Sequence, residues 1–466
     1  MSATMEGRFV TGSTMGHIVR MTMTGTFGIT FVFLVDAANL FWISQLGDPR
    51  LVAAIGFAFA IQFFSVSIGI GLMIGAVALI SHGIGAGQRE AARHRATGAA
   101  MIACAIQAAV ALLLVTFRHE IVGATGATGE TARLAARYLA MSVPSLPIMA
   151  VAMIANGALR AQGDGTRSMV VTLTSGSVAM VVDPLLIYGL GMGLDGAATG
   201  VVISRCVMLV MALRFATGTH DLLARPRLND LRETAAPFLA IAFPAILTQL
   251  STPVGNYLMT HVMSQFGDDA VAAWAVVGRM TVLAFGGVMS LSGAIGGIFG
   301  QNWGAHQYGR LRRIYRDAIL FGLGYTLITW GLLVLAGPAL SAGFALSEQG
   351  GEVLRAFTHV GAGGFIFACA LFVSNAAFNA LGRPGRSTLT NWVRDGVLTL
   401  PLALWLAAGF GAPGVIYAQA VASLMVGTLA AWWGWRFVRG FGADLPAPVD
   451  LPPTRPYPHV DRFRRR

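Results

Sequence analysis

Two carboxylates interrupt long apolar runs of this chain. Asp36 lies near the middle of FVFLVDAANLFW (Phe31–Trp42), where ten of twelve residues are apolar, and Asn39 follows one helical turn later. Asp183 lies in VVDPLLIYG, again with no basic neighbour in sequence. An ionised Asp at the middle of a bilayer costs about 2.5–3.5 kcal/mol even on a lenient insertion scale, so such residues face a partner, a wet cavity or a proton. A carboxyl group placed there exchanges a proton as water gains or loses access to it, which is the chemistry of ion coupling. The plainer reading of Asp36 is a buried hydrogen bond or an ion pair to an arginine. For Asp183 it is an Asp-Pro helix break near the outer face. Arg205, Arg279 and Arg394 also fall within apolar runs, where each can snorkel, pair or line a cavity. Asp395 adjoins Arg394, but adjacent residues on an α-helix do not face each other, so no pair is expected.

The elements that must position these groups are membrane helices. Of 466 residues, 55% are hydrophobic and 11% charged, and the mean hydropathy is +0.67; a soluble chain carries about 25% charged residues. The apolar blocks approach or exceed the roughly 20 residues that span about 30 Å of hydrocarbon as a helix. Twelve spans are expected, near 20–45, 51–80, 96–117, 134–156, 168–190, 194–217, 236–263, 270–300, 317–340, 354–380, 388–410 and 413–437. The fold class is therefore an all-α polytopic membrane protein. The net charge is +11, and all 32 basic side chains are arginine. With the N-terminus inside, 24 arginines fall on the inner side, five on the outer side and three within spans. That asymmetry predicts cytoplasmic termini and basic loops that face lipid headgroups rather than nucleic acid.

Several chemistries are excluded. No lysine exists to complete a GxxxxGK[ST] phosphate loop, and no HExxH is present. GMGLDG (Gly191–Gly196) matches GxGxxG but joins two apolar spans, so it reads as a turn. Cys104, Cys206 and Cys369 lie in apolar runs without metal or disulfide spacing. No metal, no cofactor beyond a coupling H⁺ or Na⁺, and no cleavable signal are expected.

An internal repeat organises the spans. NGALRAQGDGTRS (Asn156–Ser168) matches NAAFNALGRPGRS (Asn375–Ser387) at six of thirteen positions, 219 residues apart. GMGLDG matches GFGAPG (Gly409–Gly414) after a one-residue slip. Six spans separate the copies, so they share one orientation across the membrane. The expected units are an N-lobe (1–217), a cytoplasmic linker (218–236), a C-lobe (237–438) and a disordered cytoplasmic tail (439–466) with six prolines. Aligned on Leu46-Gly47 and Phe266-Gly267, Asp36 falls on Asn256, and Asp183 falls on Pro401 or Leu402. The intramembrane carboxylates are thus expected in the first lobe alone.

ALRAQGDGTRSM (Ala158–Met169), VVDPLLIYGLG (Val181–Gly191) and GAATG (Gly196–Gly200) resemble the fourth-to-sixth helices of the multidrug and toxic compound extrusion (MATE) transporters. ISHGIGAGQ and GQNWGAHQ look like that family's two Gly-Ala loops, and FPAILTQL like the start of its seventh helix. The resemblance covers the chain to about Trp435. It implies two six-helix lobes exporting cationic or amphipathic compounds in exchange for H⁺ or Na⁺, with a first-lobe site built on one Asp of helix 1 and one of helix 5. Asp183 matches the helix 5 Asp. The helix 1 position, eight residues before Gly47, falls on Asn39, with Asp36 one turn earlier. Of two further polar positions, the matches are Ala179 and Val201, with Thr199 close by. The helix 1 proline falls on Thr24. Gly255, Asn256 and Asn375 stand where some relatives place second-lobe carboxylates for Na⁺, which favours H⁺.

The expected ion-coupling set is Asp36, Asp183, Asn39 and Thr199. The expected cargo cavity is lined by Asn156, Gln249, Asn256, Arg279, Asn375 and Arg394. The expected function is a non-enzymatic, H⁺-coupled efflux antiporter, monomeric, in the bacterial inner membrane. The alternative is a lipid-linked oligosaccharide flippase, which requires Arg205, Arg279 and Arg394 to converge on one cavity.

Overall fold

A computed structural model describes residues 7–344 and 346–442, and the described residues form helices and turns without strands. Among the described residues, twelve helices are long and apolar enough to cross a membrane. They are α1 (Thr14–Ser44), α2 (Pro49–Gly85), α3 (Arg89–Thr116), α4 (Gly129–Gln162), α5 (Gly165–Gly189) and α6 (Leu194–Thr219), then α7 (Leu228–Ser264), α8 (Asp268–Gly304), α9 (Tyr308–Gly343), α10 (Glu348–Ala380), α11 (Pro384–Phe410) and α12 (Pro413–Arg439). Most extend past the hydropathy spans. Thus α9 begins at Tyr308, because Arg310, Arg312, Arg313 and Arg316 ride its first turns. At 1.5 Å per residue such a helix exceeds the hydrocarbon thickness, so its polar ends project beyond it.

The repeat recurs in the backbone. Residues with positive φ mark matching helix junctions at Gly47 and Gly267, Gly87 and His306, Gly163 and Gly382, and Gly193 and Gly411. At Gly163 (φ 92°) and Gly382 (φ 80°) the chain turns back at once into the next helix, a bend that a residue without Cβ makes without strain. Asp164 then caps α5 by accepting the Arg167 amide at 3.0 Å, whereas Pro384 opens α11.

The lobes α1–α6 and α7–α12 meet along α1, α2, α7 and α8. Ser81 lies against Gly300, and Gly304 lies against His82 and Ala86. Ser81 and Gly300 are one repeat apart, so the axis relating the lobes passes between α2 and α8. Ala242 and Ile246 of α7 pack on Gly75 and Gly71 of α2, where added Cβ atoms would fall 2.8 and 2.6 Å from them. Gln301 accepts the Phe9 amide at 2.9 Å and donates to the Ala161 carbonyl at 2.5 Å, tying the N-terminal segment to both lobes. Among the described residues, the hydrogen bonds that cross between lobes all lie in this half, which holds both described chain ends. The opposite half presents exposed Phe59, Phe63, Phe64, Tyr257 and Leu283. Phe64 and Leu283 lie seven residues from Gly71 and Ser290, on the faces that join the lobes, yet are 43% and 58% exposed. The lobes that close at one end therefore part at the other.

Residues 220–227 connect the lobes and dock on the N-lobe. Thr97 receives the Ala224 amide at 2.9 Å, Arg93 pairs with Asp221 at 2.7 Å, and His220 meets Asp164 at 2.7 Å. Burial pushes the Asp164 carboxyl up, but the Arg167 amide, His220 and the Arg167 guanidinium outweigh it and hold the group down at about 2. The tail expected from Arg439 is helical at its first residue, and Arg312 donates to the Arg439 and Phe441 carbonyls at 3.2 and 3.0 Å. Residues 443–466 lie outside the described residues.

Candidate functional site

α1 crosses α5 along Met21, Thr24, Gly28, Phe31 and Val35, which meet Gly165, Thr172 and Gly176. Gly176 is required there, because a Cβ would fall 2.7 Å from the Phe31 ring. One turn beyond Val35, Asn39 continues the same face and donates through Nδ2 to Asp183 Oδ2 at 2.8 Å. Asp183 is 2% exposed, and its other oxygen, Oδ1, is buried without a donor among the described residues. The α6 backbone at Gly200 lies against Oδ1, and any Cβ there would overlap it. Pro184 follows directly, and α5 continues as a π turn through Leu185–Gly189. The Asp-Pro pair thus widens the helix rather than breaking it.

Asp36 is exposed on α1, one turn from Asn39, and it shares the helical phase of Gly25 and Ile29, which meet α8 nearer the closed end. The cation whose field reaches it is Arg205 of α6. Arg205 is itself held, donating to the Ser142 carbonyl (3.1 Å), Ser145 Oγ (2.7 Å) and Gln62 Oε1 (3.1 Å). Gln62 also donates to Ser142 Oγ at 2.8 Å. The short 3₁₀ turn Val143–Ser145 places these Ser groups where α4 would otherwise present ordinary helix. Gln62, Ser142 and Ser145 were not singled out from sequence. A polar Gln within the apolar run Leu51–Ile80 is the signal that could have pointed to them.

Thr199 lies one residue before Gly200, but its hydroxyl donates to the Asp195 carbonyl of its own helix at 2.8 Å and makes no hydrogen bond to Asp183. Asn156 and Asn375 are buried within their lobes, at 3% and 4% exposure, away from the parted end. Thr390 approaches Asn375 Oδ1 at 3.4 Å. Gln249 and Asn256 continue the stripe of Ala242 and Ile246 on α7, so they pass from the closed seam into the cleft. Asn256 is exposed there.

Two expectations are corrected. Arg394 does pair with its neighbour: Nε lies 2.7 Å from Asp395 Oδ1 and Nη2 3.2 Å from Oδ2. These residues sit in a π-helical stretch, Val393–Leu398, but Arg316 and Asp317 also pair, at 3.4 Å, within an ordinary α-helix. It is therefore the long, flexible arginine arm that lets neighbours meet. Carboxylates are also not confined to the first lobe. Asp395 is largely buried in the second, accepts from Ser251 Oγ at 3.0 Å, and packs against Gly255. Arg394 is thereby engaged, while Arg279 stands exposed on α8.

A family model described as MatE matches residues 26–185 and 244–405, more than half of the chain. The chain belongs to the MatE family. MatE relatives include a protein named FAD transporter from Shewanella oneidensis, 27% identical over 423 residues, covering 88% of this chain and 92% of that one. Another is multidrug export protein MepA of Staphylococcus aureus, 23% identical over 393 residues, covering 82% and 85%. Among solved structures, one described as the outward-facing conformation of a multidrug resistance MATE family transporter superposes with a TM-score of 0.87 at 22% identity, covering 95% and 99%. A mutant of the Vibrio cholerae MATE transporter VcmN gives 0.86 at 23% identity, covering 91% and 96%. This MatE chain is a multi-pass membrane transporter of small molecules and not an enzyme.

Proposed function

We propose that the chain is an H⁺-coupled antiporter that exports cationic or amphipathic compounds by alternating access between its lobes. The observation that carries this reading is the contrast between carboxylates. Asp183 has a buried oxygen without a donor, and Asp36 opens toward the cleft, whereas Asp395 is forked onto Arg394. Oδ1 of Asp183 is the atom that a proton or Na⁺ would take, with Asn39 holding the other oxygen in place. The parted end corresponds to the external side, both termini are cytoplasmic, and the location is the bacterial inner membrane. A single chain holds both lobes and works as a monomer. Exposed Phe59, Phe63, Phe64 and Tyr257 near the parted end suit an amphipathic cargo.

A second reading concerns cargo. A relative is named FAD transporter, and Arg279 is an exposed cation on α8, which suits an aromatic anion. The flippase reading is not favoured, because Arg205 and Arg394 are each engaged within separate lobes. The test uses proteoliposomes under separate H⁺ and Na⁺ gradients, with cationic dyes and FAD as cargo. Dye movement driven by H⁺ alone is expected. Na⁺-driven movement would overturn the ion, and FAD movement without dye movement would overturn the cargo.

A further inference from the structure

Arg279 serves no contact described so far. Among the described residues, neither it nor Asp36 makes a hydrogen bond or an ion pair, and both are exposed. Their positions are nevertheless linked. Near the closed end α1 and α8 run antiparallel, with Ser290 Oγ donating to the Thr22 carbonyl at 3.0 Å. Gly25 lies against Ser290, and Ile29 and Thr30 lie against Gly286. Helical side chains seven residues apart return to one face, which carries this register outward. Seven residues beyond Ile29 is Asp36, and seven residues before Gly286 is Arg279. Between these rungs stand Val32 and Leu283, 41% and 58% exposed. The outer halves of α1 and α8 therefore carry matched stripes that do not touch while this end is parted.

We infer that Asp36 and Arg279 form an ion pair across the two lobes when the parted end closes. The inference rests on the alternating-access reading above and assigns a role to Arg279 that the reading leaves open. The charged or titratable groups around Asp36 are Arg205 on α6, Asp183 on α5 and Tyr138 on α4. Arg279 joins them from α8 on closure. Arg205 donates to Gln62, Ser142 and Ser145 and cannot swing to the cleft without breaking these bonds. The mobile cation is Arg279. The pair holds the empty, ionised carrier closed at this end. A proton on Asp36 or a cationic cargo beside it removes Arg279's partner, so opening requires one or the other. An uncoupled return of the empty carrier is thereby suppressed.

The test is cross-linking in the full chain, with Cys104, Cys206 and Cys369 replaced by Ser and the protein in proteoliposomes. Val32→Cys with Leu283→Cys leaves both charges in place and reports closure in this register. A disulfide is expected under oxidant at pH 8. Adding Arg279→Gln or Asp36→Asn slows it roughly fivefold, the factor an ion pair of this exposure supplies, and Arg279→Lys restores it. Equal rates with and without Arg279 would overturn the pair. Absence of the disulfide in a protein that still transports would overturn the register. H⁺ coupling is read separately from dye efflux by Asp36→Asn, so unchanged efflux with slowed cross-linking would sink the coupling role while the pair stands.

Discussion

The two lobes share one backbone plan and bury different things at its centre. The C-lobe has one main apolar core, running from Met259 near one end of the bundle to Val438 near the other. The N-lobe core is split into an inner cluster around Leu72, Ile80, Ile154 and Leu159 and an outer one around Ile43, Ile61, Leu139 and Leu146. Between them lies a polar layer. It includes Gln62 and Ser142 with Arg205, Gln107 donating to the Ser65 carbonyl at 2.8 Å, and Asn39 with Asp183. One repeat away, Ser65, Ser142 and Ser145 become Ala284, Gly361 and Gly364, and Arg205 becomes Ser423. The same helix crossing is also used oppositely. In the N-lobe, bulky Phe31 and Val35 on α1 fill Gly176 on α5; in the C-lobe, small Ser251 and Gly255 on α7 receive Asp395 on α11. Duplicated architecture leaves one lobe free to carry an uncompensated charge while its twin supplies a rigid partner.

The largest expected effect breaks this contrast directly. Asp183→Asn is expected to reduce H⁺-driven dye efflux to background, whereas Arg394→Leu with Asp395→Leu keeps its pH dependence, since a buried ion pair is replaceable by apolar residues. Equal losses in both variants would make the lobes equivalent. Next, Asp395→Ala alone leaves Arg394 buried and unpaired, and is expected to cost about 3–5 kcal/mol, read as a lowered thermal midpoint in detergent. The two glycines separate function from packing. Gly200→Ala pushes on Asp183 Oδ1 and is expected to cost about 1–3 kcal/mol and to move the pH midpoint of efflux. Gly255→Ala meets the Asp395 Cβ at 2.9 Å and is expected to cost stability with the pH midpoint unmoved.

The smallest effect lies at the loops. Asp164 pairs with His220 and Arg167, whereas its repeat mate is Arg383. The Asp164 carboxyl is held down at about 2 in the folded chain. Its stabilising contribution is therefore complete above the ordinary carboxylate value of 3.8 and is lost as pH falls from there toward 2. Thermal midpoints followed from pH 5 to 2.5 should fall more steeply in the parent than in Asp164→Asn, by about 1 kcal/mol at most. Parallel curves would remove Asp164 from linker docking.

The twelve helices and the repeat, including the matched segments that hold Gly163 and Gly382, were legible in the sequence. Hydrocarbon thickness and backbone hydrogen bonding act locally on the residues that show them. Asp183 was legible too, because a carboxylate in an apolar run has no cheap explanation. What only the tertiary structure decided is who faces whom. Arg394 folds its guanidinium back onto Asp395 at 2.7 Å, a side-chain choice that i, i+1 spacing does not foretell. Arg205 is satisfied by α2 and α4, each far from it in the chain, so its sequence neighbourhood reads as an unpaired cation. Asn39 binds Asp183 while Asp36, one turn away, turns toward the other lobe. That difference of one helical step is set by how α1 packs between α5 and α8, which residue types alone do not encode.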